Sequence, residues 1–215
     1  MIVRNSMTEN PITVQEDTSI SEAQRILKER HIRKLPVMRG ETLVGIVTDR
    51  DLREVTPSKA TSLDVYELHY LLAKLTVKEA MTPNPITIGP DESVSRAALL
   101  MQENRIESLP VVENGKLIGI VTESDIFASF VRLTGIKQGG IEIGVEVPDE
   151  PGSLKDVADV IRERGLKIFS ILCSYEGVPN GSRHVWFRIE GENALKQSII
   201  DTLQSKYKIL DVSKG

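Results

Sequence analysis

Gly45-Ile-Val-Thr-Asp-Arg-Asp-Leu52 returns 74 residues later as Gly119-Ile-Val-Thr-Glu-Ser-Asp-Ile126. Each copy is a short apolar run that ends in a threonine, with an aspartate three residues further on. An apolar β-branched run followed by Thr-x-x-Asp reads as a strand feeding the start of a helix. Two copies of it make a repeated site.

The repeat extends in both directions. A shift of 74 positions lays residues 7–55 on 81–129 without a gap, with 21 of 49 positions identical. Met7-Thr-Glu-Asn-Pro-Ile-Thr13 falls on Met81-Thr-Pro-Asn-Pro-Ile-Thr87, and Leu35-Pro-Val37 on Leu109-Pro-Val111. Each copy reads as strand, helix, strand, strand, helix. Residues 11–14 form a short β-branched run, and Ser19-Ile-Ser-Glu22 is a capping box that opens a helix with Ile20, Ala23 and Leu27 on one face. Residues 35–38 and 43–47 form a hairpin around Arg39-Gly-Glu41, with Pro36 marking an edge strand or a strand start. A single unit of this size buries too little surface to stand alone, so the two copies are expected to pack as one domain.

Between the copies, residues 62–75 carry apolar side chains at Val65, Leu68, Leu72 and Leu75, the spacing of a connecting helix in which His69 is a packed or surface residue. The tandem repeat thus occupies 1–134, as repeat one (1–56), the connecting helix and repeat two (76–134). Residues 135–140 form a glycine-containing joint. A different pattern fills 141–215. Ile141–Val147 alternates as a half-buried strand, and a helix carries Leu154, Val157 and Ile161 on one face and stops at Gly165. Strands at 167–175 and 183–189, a helix at 194–207 presenting Leu195, Ile199 and Leu203, and a strand at 209–212 complete the order βαββαβ, a split-βαβ or ferredoxin-like sheet with both helices on one face. The fold class is therefore α+β.

Composition narrows the function. The 215-residue chain is 27% charged and 40% hydrophobic, with a formal net charge of -4. That balance gives no overall pull toward nucleic acid. No apolar run approaches the length of a membrane span, and no secretory segment opens the chain, so a cytoplasmic protein without a membrane partner is expected. The single cysteine, Cys173, is read as a buried structural thiol, since it has no internal disulfide partner. No nucleophile elbow, phosphate-cradling glycine loop or zinc spacing occurs, so neither catalytic residues nor a catalytic cofactor are assigned. Asp49 and Asp51 lack a third ligand, and no metal site is assigned.

The Thr-x-x-Asp pairs have a better use. A threonine hydroxyl can donate to a phosphate oxygen, and a carboxylate three residues on can accept from both hydroxyls of a ribose. The helix that begins there adds N–H groups and the positive end of its dipole. The same residues also suit an ordinary N-cap. In the second domain, Pro151 and Gly152 allow a sharp turn. The loop Asp149, Gly152 and Ser153 either holds a ligand carboxylate at the helix start or serves as a structural turn. Asp149 and Glu150 oppose a free anion there but suit an ammonium group.

Pro-Ile-Thr, Leu-Pro-Val and Gly-Ile-Val-Thr-x-x-Asp, each twice over, resemble a pair of cystathionine β-synthase (CBS) domains. Residues 141–212, with Asp149-Glu-Pro-Gly-Ser-Leu154, resemble an ACT domain, and the joint order resembles the acetoin-utilisation accessory proteins. The resemblance implies a Bateman module of two βαββα repeats whose clefts are crossed. Cleft one would combine Thr48 and Asp51 with Ile86, Thr87, Glu107 and Ser108. Cleft two would combine Thr122 and Asp125 with Ile12, Thr13, Arg33 and Lys34. Arg33 and Lys34 make cleft two the expected phosphate site, while Glu107 leaves cleft one empty or suited to a less charged adenosyl compound.

The resulting expectation is a non-catalytic regulator that binds AMP, ADP, ATP or S-adenosylmethionine and signals through its ACT domain, as a homodimer with an enzyme partner. Short-chain carbon or acetoin metabolism enters through the family resemblance alone. A scaffold dimer with degenerate clefts and an ACT-based amino-acid sensor are the alternatives, and an enzyme fits least.

Overall fold

The computed structural model describes residues 1–55, 75–191 and 193–214. The expected connecting helix, with His69, lies outside the described residues except for Leu75. Two compact units emerge, Met1–Ile126 and Phe127–Gly215. Among the described residues no helix is long and apolar enough to cross a membrane.

In the first unit the two repeats fold alike. Helix α1 (Ile20–Glu29) opens at Ser19, whose hydroxyl accepts the Glu22 N–H at 3.2 Å, and it buries Ile20, Ala23 and Leu27. Only this half of the expected capping box forms, because Arg25 takes the Glu22 carboxylate at 2.7 Å. The hairpin of β3 (Lys34–Arg39) and β4 (Thr42–Thr48) leads into α2 (Asp49–Glu54). Pro36 lies inside β3 rather than at its start, one residue before β2 (Val14–Gln15) begins to pair with that strand. The second repeat has a short α3 (Val77–Ala80), α4 (Val94–Asn104) and the hairpin of β6 (Ser108–Glu113) and β7 (Lys116–Thr122). It ends in α5 (Glu123–Leu133), which contains the boundary between the units.

Each repeat lends its first residues to the other. β1 (Thr8–Glu9) pairs with β7 of the second repeat, and β5 (Thr82–Pro83) pairs with β4 of the first, in equivalent registers: Thr8 opposite Ile120 and Thr82 opposite Ile46. The cores follow this exchange. Val3 is buried with Leu109, Val111 and Val121, while Val77 is buried with Leu35, Val37 and Val47. The glycine of each Gly-Ile-Val-Thr makes the exchange possible. A Cβ on Gly45 would collide with Met81 and stand 3.2 Å from the Thr82 carbonyl; one on Gly119 would collide with Met7 and stand 3.1 Å from the Thr8 carbonyl.

The exchange also corrects the expected strand at 11–14. Pro11, Ile12 and Thr13 belong to no strand, because the chain passes here from β1, in one sheet, to β2, in the other. Proline has no N–H to offer either ladder.

The second unit has four antiparallel strands in the order β11-β8-β10-β9: β8 (Ile141–Pro148), β9 (Ile168–Ser174), β10 (Ser182–Ile189) and β11 (Lys208–Lys214). Helices α6 (Ser153–Arg162) and α7 (Asn193–Gln204) follow β8 and β10. Alternate residues Ile141, Ile143, Val145 and Val147, with Val185, Phe187 and Ile189, pack against Val157, Ile161, Ile199 and Leu203. The side chain of Leu195 lies outside what is described. On the opposite face Trp186 lies over Gly144 and donates to Asp211 at 3.0 Å, a place where a Cβ would not fit.

Cys173 corrects another expectation. It is exposed, on β9 at the edge of the sheet. The glycine-containing joint has local structure of its own. Residues Ile136–Gln138 form a 3-10 turn, Gly135 packs against Phe169, and the Ser170 hydroxyl donates to the Thr134 carbonyl at 2.7 Å.

Candidate functional site

The exchanged segments bring the two halves of each candidate site together within the first unit. Cleft one, a cavity of about 750 Å³, is lined among the described residues by Thr48 and Asp51 of repeat one and by Ile86, Glu107 and Ser108 of repeat two. Cleft two, about 520 Å³, is lined by Thr122 of repeat two and by Ile12, Arg33 and Lys34 of repeat one. Both volumes suit a ligand of nucleotide size. Ile12 and Ile86 occupy equivalent positions and are 38% and 39% exposed. Large apolar side chains left open at a cavity wall supply a flat surface for an aromatic base. Thr13 and Thr87 reach neither lining. Asp125 is absent from the wall of cleft two but is bonded to Thr122, which belongs to it.

The Thr-x-x-Asp pairs are closed on themselves. Asp51 Oδ2 accepts the Thr48 N–H at 2.8 Å and its hydroxyl at 2.7 Å, and the Thr48 hydroxyl oxygen accepts the Asp51 N–H at 3.2 Å. Asp125 Oδ2 accepts the Thr122 N–H at 2.8 Å and its hydroxyl at 2.7 Å. The first pair is therefore a complete capping box, and the second shows the half in which the aspartate takes the threonine N–H. Oδ1 of either aspartate has no protein donor among the described residues and remains able to accept from a ribose. The hydroxyl proton expected to serve a phosphate is already committed. The helix start adds little as well, since α2 has only six residues and its Asp49 N–H goes to the Arg33 carbonyl at 3.0 Å. A phosphate in the cleft would therefore be left to side-chain cations.

Those cations correct the expected division of charge. Arg33 and Lys34 line both clefts, as does Glu107. The hairpin register explains it: Lys34 stands directly opposite Thr48, so the residues before Leu35 flank the threonine of their own repeat while facing the other cleft. Lys34 Nζ meets Glu107 Oε2 at 3.0 Å, and the Lys34 side chain is only 12% exposed. Hydrogen bonding from Lys34 holds the Glu107 carboxyl below the usual carboxylate range, with the charges of Lys34, Arg33 and Arg50 adding to it. Glu107 and Lys34 thus offset each other's charge at both clefts, and Lys34 is no free cation in cleft two.

Cleft one also contains Arg50, where the sequence places it as a partial counterweight to Glu107, and Arg53 and Arg105, which sequence reasoning did not place there. Arg50 is bonded to Glu54 at 2.9 Å, and Arg53 to Asp49. Arg105 has no ion-pair or hydrogen-bond partner for its side chain among the described residues. Its backbone is left-handed at φ 53, as is that of its counterpart His31 in cleft two, also at φ 53. Asn10 and Asn84 form a second such pair, at φ 47 and 48, and also line the clefts. Left-handed non-glycine residues at matching positions are the signal that could have found them.

In the second unit the candidate loop is tied down internally. Arg183 donates to the Ser153 hydroxyl at 2.8 Å and lies 3.7 Å from Asp149, while Gly152 takes φ 98 at the start of α6. Among the described residues no cluster of His, Cys, Asp or Glu could hold a metal ion.

The CBS domain family matches residues 3–57 and 77–132. An inosine-5'-monophosphate dehydrogenase of Korarchaeum cryptofilum is 37% identical over 157 residues, which is 70% of this chain but 30% of the relative. The crystal structure of CBSX2, a protein of Arabidopsis thaliana, in complex with AMP superposes at a TM-score of 0.52 with 30% identity, covering 60% of this chain and 96% of that one. The CBS domain pair of protein MJ0100, in complex with 5'-methylthioadenosine and S-adenosyl-L-methionine, superposes at 0.50 with 32% identity, covering 60% and 95%.

Proposed function

The chain belongs to the CBS-domain family, and from that premise we propose that it is a non-catalytic regulator that binds adenosine-containing ligands in its two crossed clefts. The observation that carries this reading is the meeting, twice over, of a threonine bonded to its aspartate in one repeat with an exposed isoleucine from the other across a cavity of nucleotide size. Ile12 or Ile86 offers its face to the adenine, and the free Oδ1 of Asp125 or Asp51 accepts from the ribose hydroxyls. The complexes of CBSX2 with AMP and of the MJ0100 domain pair with 5'-methylthioadenosine and S-adenosyl-L-methionine support this ligand class.

The second unit is read as an ACT-type, ferredoxin-like domain on its strand order and paired helices. It passes the ligand-dependent state to an enzyme partner in the cytoplasm, with the chain acting as a homodimer and short-chain carbon metabolism, acetoin included, as its setting. A ligand biases such a state only through unequal affinity for two arrangements. An amino-acid sensor is the weaker reading, because Arg183 already occupies Ser153 and approaches Asp149.

Thermal unfolding with AMP, ADP, ATP and S-adenosylmethionine tests the proposal. Ligand at a hundred times its dissociation constant adds about 2.7 kcal/mol, a rise of several degrees for the unit that binds it. Silence across that set would leave a scaffold with degenerate clefts. A shift with free amino acids instead would move the sensing role to the second unit.

A further inference from the structure

We propose that the two clefts take different classes of adenosyl ligand, a nucleoside polyphosphate in cleft one and an adenosyl compound without phosphates in cleft two. The inference rests on the reading of both clefts as adenosyl sites and assigns each its ligand.

The argument follows the cations that remain available. Lys34 is held by Glu107, Arg50 by Glu54 and Arg53 by Asp49, which leaves Arg33 and Arg105 unpaired among the described residues. Cleft one has both; cleft two has only Arg33, which it shares. Two guanidiniums can each give a forked, charge-assisted pair of hydrogen bonds to phosphate oxygens. Once Arg33 turns to a polyphosphate in cleft one, cleft two keeps no free cation among the described residues, and Glu123 lies on its wall. The base and ribose contacts there stay intact, so a neutral or cationic adenosyl compound still fits. A second polyphosphate does not.

Calorimetry on the full chain with ATP and 5'-methylthioadenosine tests this. ATP is expected to fill one site per chain, and 5'-methylthioadenosine to bind ATP-saturated protein with the affinity it shows for free protein. Arg105→Asn, which keeps a residue tolerant of left-handed backbone, should weaken ATP about tenfold or more and leave 5'-methylthioadenosine unchanged. Arg105→Lys should restore part of the loss. Two equal ATP sites per chain, an Arg105→Asn variant with undiminished ATP affinity, or expulsion of 5'-methylthioadenosine by ATP would each overturn the division while leaving the clefts as adenosyl sites. Binding of neither compound would overturn the reading of the clefts and the division with it.

Discussion

Cleft one and cleft two are two uses of one scaffold. Both are closed by the same exchange of N-terminal segments, begin a helix with the same Thr–Asp hydrogen bonds, and expose an isoleucine at the same position. They differ where the chain faces the cavity without holding the fold: Arg105 against His31 and Arg50 against Ser124. Residues fixed by backbone approach are the same in both copies, and residues free to vary set the charge. Ligand choice is therefore separable from stability, and substitutions of the two kinds should fall into separate classes.

The strongest test of the shared scaffold is steric. Gly45→Val and Gly119→Val each push a branched side chain into a methionine and toward a carbonyl of the exchanged strand. Overpacking of this kind costs about 1–3 kcal/mol, and the two variants should lose stability alike in urea unfolding followed by far-UV circular dichroism. A difference above about 1 kcal/mol between them would mean that the exchange is not equivalent in the two directions.

Next come the Thr–Asp pairs, where fold and ligand overlap. Asp51→Ala and Asp125→Ala each remove the acceptor for a threonine N–H and hydroxyl, worth about 1 kcal/mol of stability. The affinity loss should divide by cleft. On the proposed assignment Asp51→Ala weakens ATP at least tenfold, about 1.4 kcal/mol, and Asp125→Ala weakens 5'-methylthioadenosine. Loss of both ligands in one variant would show that the clefts are not separate sites.

The sequence carried the scaffold further than the charges, for identifiable reasons. The shift of 74 residues, the helix faces and the Thr-x-x-Asp pairs are local or periodic, so they are legible without coordinates. So was the βαββαβ order of the second unit, because its strands alternate cleanly against one core. The shared position of Arg33 and Lys34 was less visible. It depends on the register Lys34 opposite Thr48 in a hairpin whose partner strand belongs to the same repeat, whereas the family pattern assigns those residues to the other cleft. Glu107 was misjudged for the same reason, since its partner Lys34 comes from the other repeat. Cys173 was read as buried from its residue type, but it is exposed on β9 at the sheet edge, and the edge is a property of strand order.

If charge alone separates the clefts, the difference should be transferable. His31 and Arg105 have the same left-handed backbone, so His31→Arg places a guanidinium in cleft two without new strain. This variant should gain a second ATP site and raise cleft-two ATP affinity about tenfold, on the scale of one charge-assisted contact. Calorimetry showing one ATP per chain, as in the parent, would mean that features other than the cation at this position set the choice.

The smallest expected effect concerns the pair that stands between the clefts. The Glu107 carboxyl is held below its ordinary range chiefly by the hydrogen bond from Lys34. A lowered folded-state pKa contributes stability above the unfolded-state pKa, near 4.3 for glutamate, and loses it as pH falls through the folded-state value. Glu107 is 69% exposed, so solvent screens the pair and the stability term is slight. Its effect on ligand distribution should be easier to read than its effect on unfolding. Glu107→Gln frees Lys34 at neutral pH and gives both clefts a further cation, so ATP binding to cleft two should improve while Arg105 still favours cleft one. Because the wild-type carboxylate stays ionised through this range, the gain should be constant from pH 7 to pH 5 and narrow only in more acidic buffer. A gain that already varies between pH 7 and pH 5 would assign the titration to a group other than Glu107.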